Sequence, residues 1–274
     1  MPIGICKMCL LNKRLAKSHL MPAALYETCR ADDSEPIKVS SEIVLTTSRQ
    51  TQDYLLCDGK DGCEEILNRE GESWTLPMLM RKDRAFPLYD ILAAATPEWV
   101  EPDMTLYSAA KVPAIDVAKL THFAMGIFWK ASVHGWAKQP GDTRIKLGPY
   151  SEAIRKYLRG ETGFPDRMVL AIDVGEPAKA MILFTDPVTG NDKSSHFFYL
   201  PGVLFSLMVG GTLTQELKPR CFATNVDHPI LVSENLKALF ESHLMRQYFK
   251  APKARKLIEA KQRRLAAREI GSRS

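Results

Sequence analysis

The sequence lacks any apolar run long enough to cross a membrane. The longest candidate, residues 200–213, is shorter than the roughly 18 residues that a span needs, and it contains one proline and three glycines. The first five residues also lack the basic start and apolar core of a secretory signal peptide. These absences predict a cytoplasmic protein with no membrane partner, in which paired cysteines bind metal more often than they form disulfides.

Internal repeats are also absent, and Gly210-Gly211 stands without the other residues of a phosphate-binding loop. No arrangement of nucleophile, base and orienting acid can be read from the sequence. What is present is the composition of an ordinary globular protein, with 274 residues, 45% of them hydrophobic and 25% charged. This length suffices for one sizeable domain with a small one appended, or for two modest domains.

The net charge of +5 is concentrated at the C-terminus. Residues 250–274 contain nine lysines or arginines and two glutamates, so this tail carries +7 and the rest of the chain −2. Attraction to the phosphates of a nucleic acid is therefore expected mainly in the tail. The candidate contacts are Lys253, Arg255, Lys256, Arg263 and Arg264. A solvated helical tail with no ligand is the alternative interpretation.

The most informative residues are two cysteine pairs in the first quarter of the chain. Cys6 and Cys9 are separated by two residues, a spacing that lets one tight turn supply two thiolates to one zinc ion. Cys57 and Cys63 are separated by five residues, 58–62, which include two glycines and can loop out. The pattern predicts a zinc site of four cysteines.

Such a zinc is structural, because four thiolates leave no open position for water. Two alternatives remain open: two unrelated pairs of reduced thiols, or a zinc site in which Cys29 or His19 replaces one of the four cysteines. Cys221 stands alone in an apolar segment and is interpreted as a core residue.

The order of these motifs resembles the zinc-containing branch of the HNH endonucleases, the ββα-metal nucleases on a treble-clef-like zinc fold. In that family a Cys-x2-Cys knuckle precedes an Asp-His-Ile-x-Pro-like motif, which residues 18–22 (SHLMP) match with His19 at the general-base position. A Leu-Cys-x2-Cys-His motif opens the last helix of the family's module, and residues 56–64 (LCDGKDGCE) are similar to it. The resemblance covers residues 1–75.

Three positions depart from the family pattern. Ser18 stands where the family has a metal-binding aspartate, Glu64 replaces the metal-binding histidine, and Gln52 lies near the place of the asparagine that orients the base. The resemblance implies that His19 deprotonates a water that attacks a DNA phosphate, with one divalent metal at the leaving oxygen. Glu64 would be a ligand of that metal, magnesium or manganese, because both prefer oxygen donors.

A variant pattern strengthens the resemblance. Uncharacterised bacterial proteins are similar in joining Ser-His-x-x-Pro to a Cys-Glu helix, and in carrying a segment like residues 128–133 (FWKASV). Some of these proteins are linked to mobile elements and antiviral defence, which would be the biological setting that the resemblance implies.

The remaining elements predict an α+β fold with three parts: a zinc module over 1–75, an α+β domain of unknown role over 76–249, and a basic helical tail over 250–274. The expected helices, which follow apolar spacing and capping residues, lie near 22–30, 64–72, 91–95, 116–136 and 151–159. A hairpin or bent strand is expected over 37–47. An antiparallel meander is expected from strands at 168–174, 179–185, 196–200 and 203–209.

Several polar residues have a second interpretation. A helix over 64–72 would place Glu64, Asn68 and Glu72 on one face, which is either solvated or able to bind a cation. His122 and His134 lie on the long helix without metal-ligand spacing, so both are interpreted as surface or hydrogen-bonded core histidines.

The sequence thus predicts an HNH-like metal-dependent endonuclease that acts on DNA. The alternative is a non-catalytic zinc module that binds nucleic acid or a protein partner.

Overall fold

A computed structural model of the chain describes residues 1–30, 37–39, 44–46, 50–136, 145–178, 180, 182–190, 194–210 and 229–233. Within these residues the protein is a mixed α+β structure, as the sequence predicts. None of the helices in the described residues is long and apolar enough to cross a membrane.

The N-terminal part is built from short strands. Five strands lie before residue 58: β1 (Ile3–Ile5), β2 (Asn12–His19), β3 (Ile37–Val39), β4 (Val44–Thr46) and β5 (Gln52–Cys57). An antiparallel sheet has the order β1-β2-β5, and β3 pairs with β4 in an antiparallel hairpin, which confirms the hairpin expected over 37–47. The β2–β5 register shifts between Leu15 and Lys17, so the ladder contains an irregularity of the bulge type.

The described residues contain six α-helices. They are α1 (Ala23–Thr28), α2 (Cys63–Leu67), α3 (Ser73–Met78), α4 (Pro87–Ala93), α5 (Val117–Val133) and α6 (Tyr150–Leu158). Helices α1, α2, α5 and α6 lie at predicted positions, α4 begins four residues earlier than expected, and α3 was not predicted. α1 begins directly after Pro22, as expected. The carboxylate of Asp116 accepts a hydrogen bond from the backbone N–H of Lys119 at 3.0 Å, which confirms the predicted cap of the long helix.

The helix expected over 64–72 is different in form from the prediction. After α2 the chain makes a π-helical turn over Asn68–Glu72 and then continues directly into α3. Gly71 lies in this turn against α5, where a Cβ atom would come within 2.8 Å of the Cα atom of Phe123. A side chain at this position would therefore separate the turn from the long helix.

The larger sheet has seven strands, in the order β6-β7-β12-β8-β11-β10-β9. Their bounds are β6 (Trp99–Glu101), β7 (Met104–Ser108), β8 (Met168–Gly175), β9 (Val188–Thr189), β10 (Ser195–Leu200), β11 (Val203–Val209) and β12 (Pro229–Ser233). Three predicted strands are confirmed, namely β8, β10 and β11; β11 lies between the other two and pairs antiparallel with both.

Two expectations for this sheet are wrong. The segment 179–185 forms no strand over its described residues 180 and 182–185, although the backbone N–H of Thr185 still reaches Tyr199 of β10 at 2.9 Å. The sheet is not a simple meander either. β12 lies between β8 and β7, and it pairs in parallel with β8 and antiparallel with β7. β6 and β7 lie in a part of the chain where no strand was predicted.

The core lies between α5 and this sheet. Nearly the whole of α5 is buried, and aromatic pairs join it to the sheet: Phe128 packs on Phe198 at a ring distance of 4.8 Å, and Phe123 on Phe205 at 6.2 Å. Each such side chain contributes about 1.5–3 kcal/mol on burial. The same continuous cluster of buried residues includes Cys6, Cys57 and Cys63 from the N-terminal part of the chain. Helix α3 (Ser73–Met78) spans position 75, where the predicted zinc module ends.

Candidate metal centre

The four predicted cysteines come together in space. The sulfur atoms of Cys6, Cys9, Cys57 and Cys63 all lie within 4.8 Å of one another. Two sulfurs bound tetrahedrally to one zinc at about 2.3 Å are about 3.8 Å apart, which is the distance between the Cys9 and Cys57 sulfurs. The four residues can therefore hold a metal ion such as zinc.

The backbone around the sulfurs fixes this geometry. The first pair lies in the turn between β1 and β2, and the second joins the end of β5 to the start of α2. Backbone N–H groups donate to two of the sulfurs: that of Cys57 to Cys6 Sγ and that of Cys63 to Cys57 Sγ, both at 3.3 Å. Donors of this kind suit thiolates, because they stabilise negative charge on sulfur.

The five-residue insertion loops out, as the sequence predicts. The N–H of Gly62 donates to the carbonyl of Gly59 at 2.9 Å, and Gly59 has a φ of +113°, which favours glycine. A Cβ atom on Gly62 would lie only 2.5 Å from the carbonyl oxygen of Cys57. Both glycines are thus needed to bring Cys63 back to Cys57.

Hydrogen bonds and burial shift the pKa values of the clustered thiols. A hydrogen bond from Cys63 lowers the pKa of Cys6 to about 4, and the same contact raises the pKa of Cys63. Burial raises the pKa of Cys57. Four clustered thiols of this kind are a donor set that suits a divalent cation such as zinc, which binds them as thiolates.

Neither alternative ligand belongs to this cluster. Within the described residues, the four cysteines form the one group of three or more metal-binding side chains that meets this spacing, so Cys29 and His19 lie outside it. Cys29 is at the end of α1, where burial raises the pKa of its thiol to about 12. Cys221 lies outside the described residues.

Ser18 and Glu64, the two positions that depart from the family's metal ligands, are in direct contact. The Ser18 hydroxyl donates to Glu64 Oε2 at 2.5 Å and accepts the backbone N–H of Leu56 at 3.3 Å. Ser18 is fully buried, whereas Glu64 is half-buried on the first turn of α2. The hydroxyl therefore links the irregular part of the β2–β5 ladder to the start of the helix.

This contact gives a physical reason for serine at position 18. An ionised aspartate cannot donate a hydrogen bond to a second carboxylate, whereas a hydroxyl can donate to Glu64 while it accepts from Leu56. Ser18 and Glu64 therefore satisfy each other as donor and acceptor.

His19 ends β2, and its Cα partner across the ladder is Gln52, the residue expected near the base-orienting position. The side chain of His19 is half-buried, and its Nε2 atom is buried with no hydrogen-bond partner among the described residues. Cross-strand partners share a face of a sheet while neighbours along a strand alternate. His19 and Gln52 thus lie on one face, and Ser18 with Asp53 on the other.

Sequence reasoning missed a contact between Asp53 and His134. The Asp53 carboxylate lies 3.1 Å from His134 Nε2, and the His134 ring meets Trp136 edge to face at 4.9 Å. Eighty-one positions separate the two partners, so no spacing pattern could indicate the pair. The contact joins the end of α5 to the N-terminal sheet.

His122 is a hydrogen-bonded core histidine, one of the two interpretations given above. Its Nε2 donates to the Leu158 carbonyl at 3.1 Å, and burial lowers the pKa of its imidazole.

Glu72 has a role that helical spacing did not predict. Glu72 is the last residue of the π-helical turn and lies directly before α3. Its carboxylate lies 3.6 Å from the ammonium of Lys130, a lysine of α5 that is only 2% exposed. The face of three polar residues predicted as solvated or cation-binding is therefore interrupted by an internal ion pair.

The five candidate nucleic-acid contacts between Lys253 and Arg264 lie outside the described residues. Comparison of the chain with protein-family models, curated proteins and solved structures gives no match. Inference about function therefore depends on the residues of the site themselves.

Proposed function

We propose that the chain is an HNH-like, metal-dependent nuclease whose module is held by a structural zinc and which hydrolyses phosphodiester bonds of DNA. The contact between Ser18 and Glu64 is the observation that carries the proposal. It joins the two positions from which the nuclease family binds its catalytic metal. His19 follows Ser18 directly in β2, with its side chain on the opposite face of the strand ladder.

The four-cysteine cluster supports the same proposal. A knuckle that gives two thiolates, followed by a strand end and a helix start that give two more, is the ligand arrangement of a treble-clef module. In zinc peptides such a site supplies apparent binding energies of about 10–16 kcal/mol, which become folding energy. Cys6, Cys9, Cys57 and Cys63 would hold the zinc.

The proposed roles around the reacting phosphate are few. Glu64, through its carboxylate, would hold magnesium or manganese, and such an ion supplies charge stabilisation at the leaving oxygen. His19 would accept the proton of the attacking water. The basic tail adds phosphate contacts that carry no sequence information.

A second candidate function is favoured by one specific observation. Ser18 is fully buried and both of its hydrogen bonds are internal, and His19 Nε2 is buried as well. A site in which a hydrogen bond has replaced the metal would be a non-catalytic zinc module that binds nucleic acid or a protein partner.

Plasmid cleavage separates the two candidates. Purified full-length protein with one zinc per chain is incubated with supercoiled DNA and either Mg²⁺ or Mn²⁺. The nuclease proposal predicts nicking that falls by about 10²–10⁴-fold in His19→Ala, the range expected for loss of a general base. Glu64→Gln should also lose activity, because an amide is a weaker metal ligand than a carboxylate.

Two neighbouring residues provide matched controls. Lys17→Ala alters an exposed side chain of the same strand, and Glu65→Gln alters the next carboxylate of the same helix. Both should cut at the wild-type rate. A zinc-loaded wild-type protein that cuts no DNA with either ion would favour the non-catalytic module, and cleavage unchanged by His19→Ala would reject the assigned base.

A further inference from the structure

Arg155 of α6 reaches the turn that carries the first cysteine pair. Its Nη1 atom donates at 2.7 Å to the backbone carbonyl of Met8, which lies between Cys6 and Cys9. The two partners are 147 positions apart in the chain, so the bond joins α6 to the candidate zinc cluster. The side chain of Arg155 is only 11% exposed, and a charge-assisted hydrogen bond keeps much of its strength where water is largely excluded.

Glu152 holds the guanidinium in the orientation that this bond needs. Its two carboxylate oxygens accept from Nε and Nη2 of Arg155, both at 2.8 Å, from the preceding turn of the same helix. A planar guanidinium that is held along one edge has its other donors fixed in direction. The bond from Nη1 to the Met8 carbonyl therefore forms with little further loss of rotamer freedom.

The peptide that follows Met8 connects this bond to a sulfur atom. In the trans peptide between Met8 and Cys9, the C=O and N–H groups point in opposite directions. Because the carbonyl points at Arg155, the N–H of Cys9 points back into the turn, where it is one of the backbone donors to Cys6 Sγ. A cation that donates to the carbonyl polarises the peptide and strengthens the bond made by its N–H.

We propose that Arg155 is a positioning residue of the zinc site. It holds the peptide between Met8 and Cys9 so that the Cys9 N–H faces Cys6 Sγ, and through this peptide it stabilises the negative charge of the Cys6 thiolate. The inference rests on the structural zinc of the proposed function. It extends that function, because α6 lies outside the predicted zinc module and supplies an outer partner of a metal ligand.

The net charge of Arg155 does not account for this arrangement. The guanidinium lies 3.7 Å from Glu161 in addition to its two bonds with Glu152, so two carboxylates offset its charge. An arginine that served only α6 would be satisfied by these two glutamates. The directed bond to the Met8 carbonyl is the additional contact, and it is the one that reaches the cysteine turn.

Transfer of zinc from the purified protein to a chromogenic chelator measures the expected effect. Arg155→Met keeps the apolar stem of the side chain but removes its donors, and zinc affinity should fall by about 10–100-fold, the range for outer partners of metal ligands. Arg155→Lys should recover part of that affinity, because an ammonium can still donate to the Met8 carbonyl.

Arg69→Met is the matched control. Arg69 also donates to a neighbouring carboxylate, that of Glu70 at 2.8 Å, but its side chain is 52% exposed. Its replacement should leave zinc affinity at the wild-type value.

The amide resonance of Cys9 separates this role from a merely structural one. In isotope-labelled, zinc-loaded protein, Arg155→Met should shift the Cys9 amide proton upfield, because its bond to Cys6 Sγ weakens. The amide of Cys63, which donates to Cys57 Sγ at 3.3 Å, should keep its position. If Arg155→Met does not fold, Arg155→Lys gives the same comparison with a smaller upfield shift, since it keeps the charge beside the two glutamates.

Three results would each overturn the proposal: equal zinc affinity in the wild type and Arg155→Met, a Cys9 amide that does not move in the folded variant, or Arg155→Lys that binds zinc no more tightly than Arg155→Met. A wild type that binds no zinc would reject the metal site itself and this inference with it. DNA cleavage enters none of these measurements, so loss of the nuclease proposal alone would leave them unchanged.

Discussion

Replacement of Ser18 by alanine removes the hydroxyl that joins the N-terminal sheet to helix α2. The buried N–H of Leu56 loses its acceptor, which costs about 1–3 kcal/mol. The bond to the Glu64 carboxylate is also lost, but half-buried Glu64 recovers water, so this part lies at the low end of the 1.5–3 kcal/mol typical of charged partners. We expect the free energy of unfolding to fall by about 2–4 kcal/mol.

Urea unfolding of zinc-loaded protein measures this loss. With a slope of about 2–3 kcal/mol per molar urea, the midpoint should fall by about 1 M. Ser73→Ala is the control, because the Ser73 hydroxyl donates to the Arg69 carbonyl at an exposed position, and its removal should change stability by less than about 0.5 kcal/mol. Equal effects of the two substitutions would refute the assigned role of Ser18.

The substitution Ser18→Asp tests the same contact by placing a second carboxylate opposite Glu64. Two carboxylates would then meet where the hydroxyl now donates at 2.5 Å, and neither could donate to the other. This variant should be less stable than the wild type without added cation, and Mn²⁺ should restore more of its stability than it adds to the wild type. A variant that does not respond to Mn²⁺ would show that the position cannot form half of a metal site.

Three further predictions concern the core. Glu72→Gln should destabilise the protein by about 2–4 kcal/mol because it leaves the charge of buried Lys130 unpaired, whereas Lys130→Met with Glu72→Gln should recover most of that loss in urea unfolding. Burial raises the pKa of Asp173 from 3.8 to about 7, so the folded state binds more protons between these values. The free energy of unfolding should therefore fall as pH rises from 4 to 7, and Asp173→Asn should flatten that profile. Gly71→Ala should lower thermal stability by about 1–3 kcal/mol, because its Cβ meets the backbone of Phe123 at 2.8 Å; an unchanged melting temperature would show that the turn can shift.

Local signals predicted a large part of the fold. Cysteine spacing indicated the cluster, because a Cys-x2-Cys turn and a glycine-containing loop can be read within a few residues. Apolar periodicity and an acidic cap located α5, and β-branched residues located the hairpin of β3 and β4. These elements depend on neighbours in sequence, which is why a single sequence sufficed.

The features that sequence reasoning missed depend on distant residues. The parallel pairing of β12 with β8 is decided by the whole sheet, in which β12 lies between β7 and β8 and β9 forms the edge beside β10. The Asp53–His134 and Glu72–Lys130 contacts join residues more than 50 positions apart. The π-helical turn lies where Gly71 approaches α5 closely, a contact that no periodicity contains.

X-ray absorption at the zinc edge of the purified protein tests the central claim most directly, since the proposed nuclease site is built on a module that zinc would hold together. The four clustered cysteines predict one zinc per chain with four sulfur neighbours at about 2.3 Å and no nitrogen or oxygen ligand. A protein without zinc, or a spectrum that requires an imidazole or a water ligand, would contradict the structural staple on which the proposed nuclease site is built.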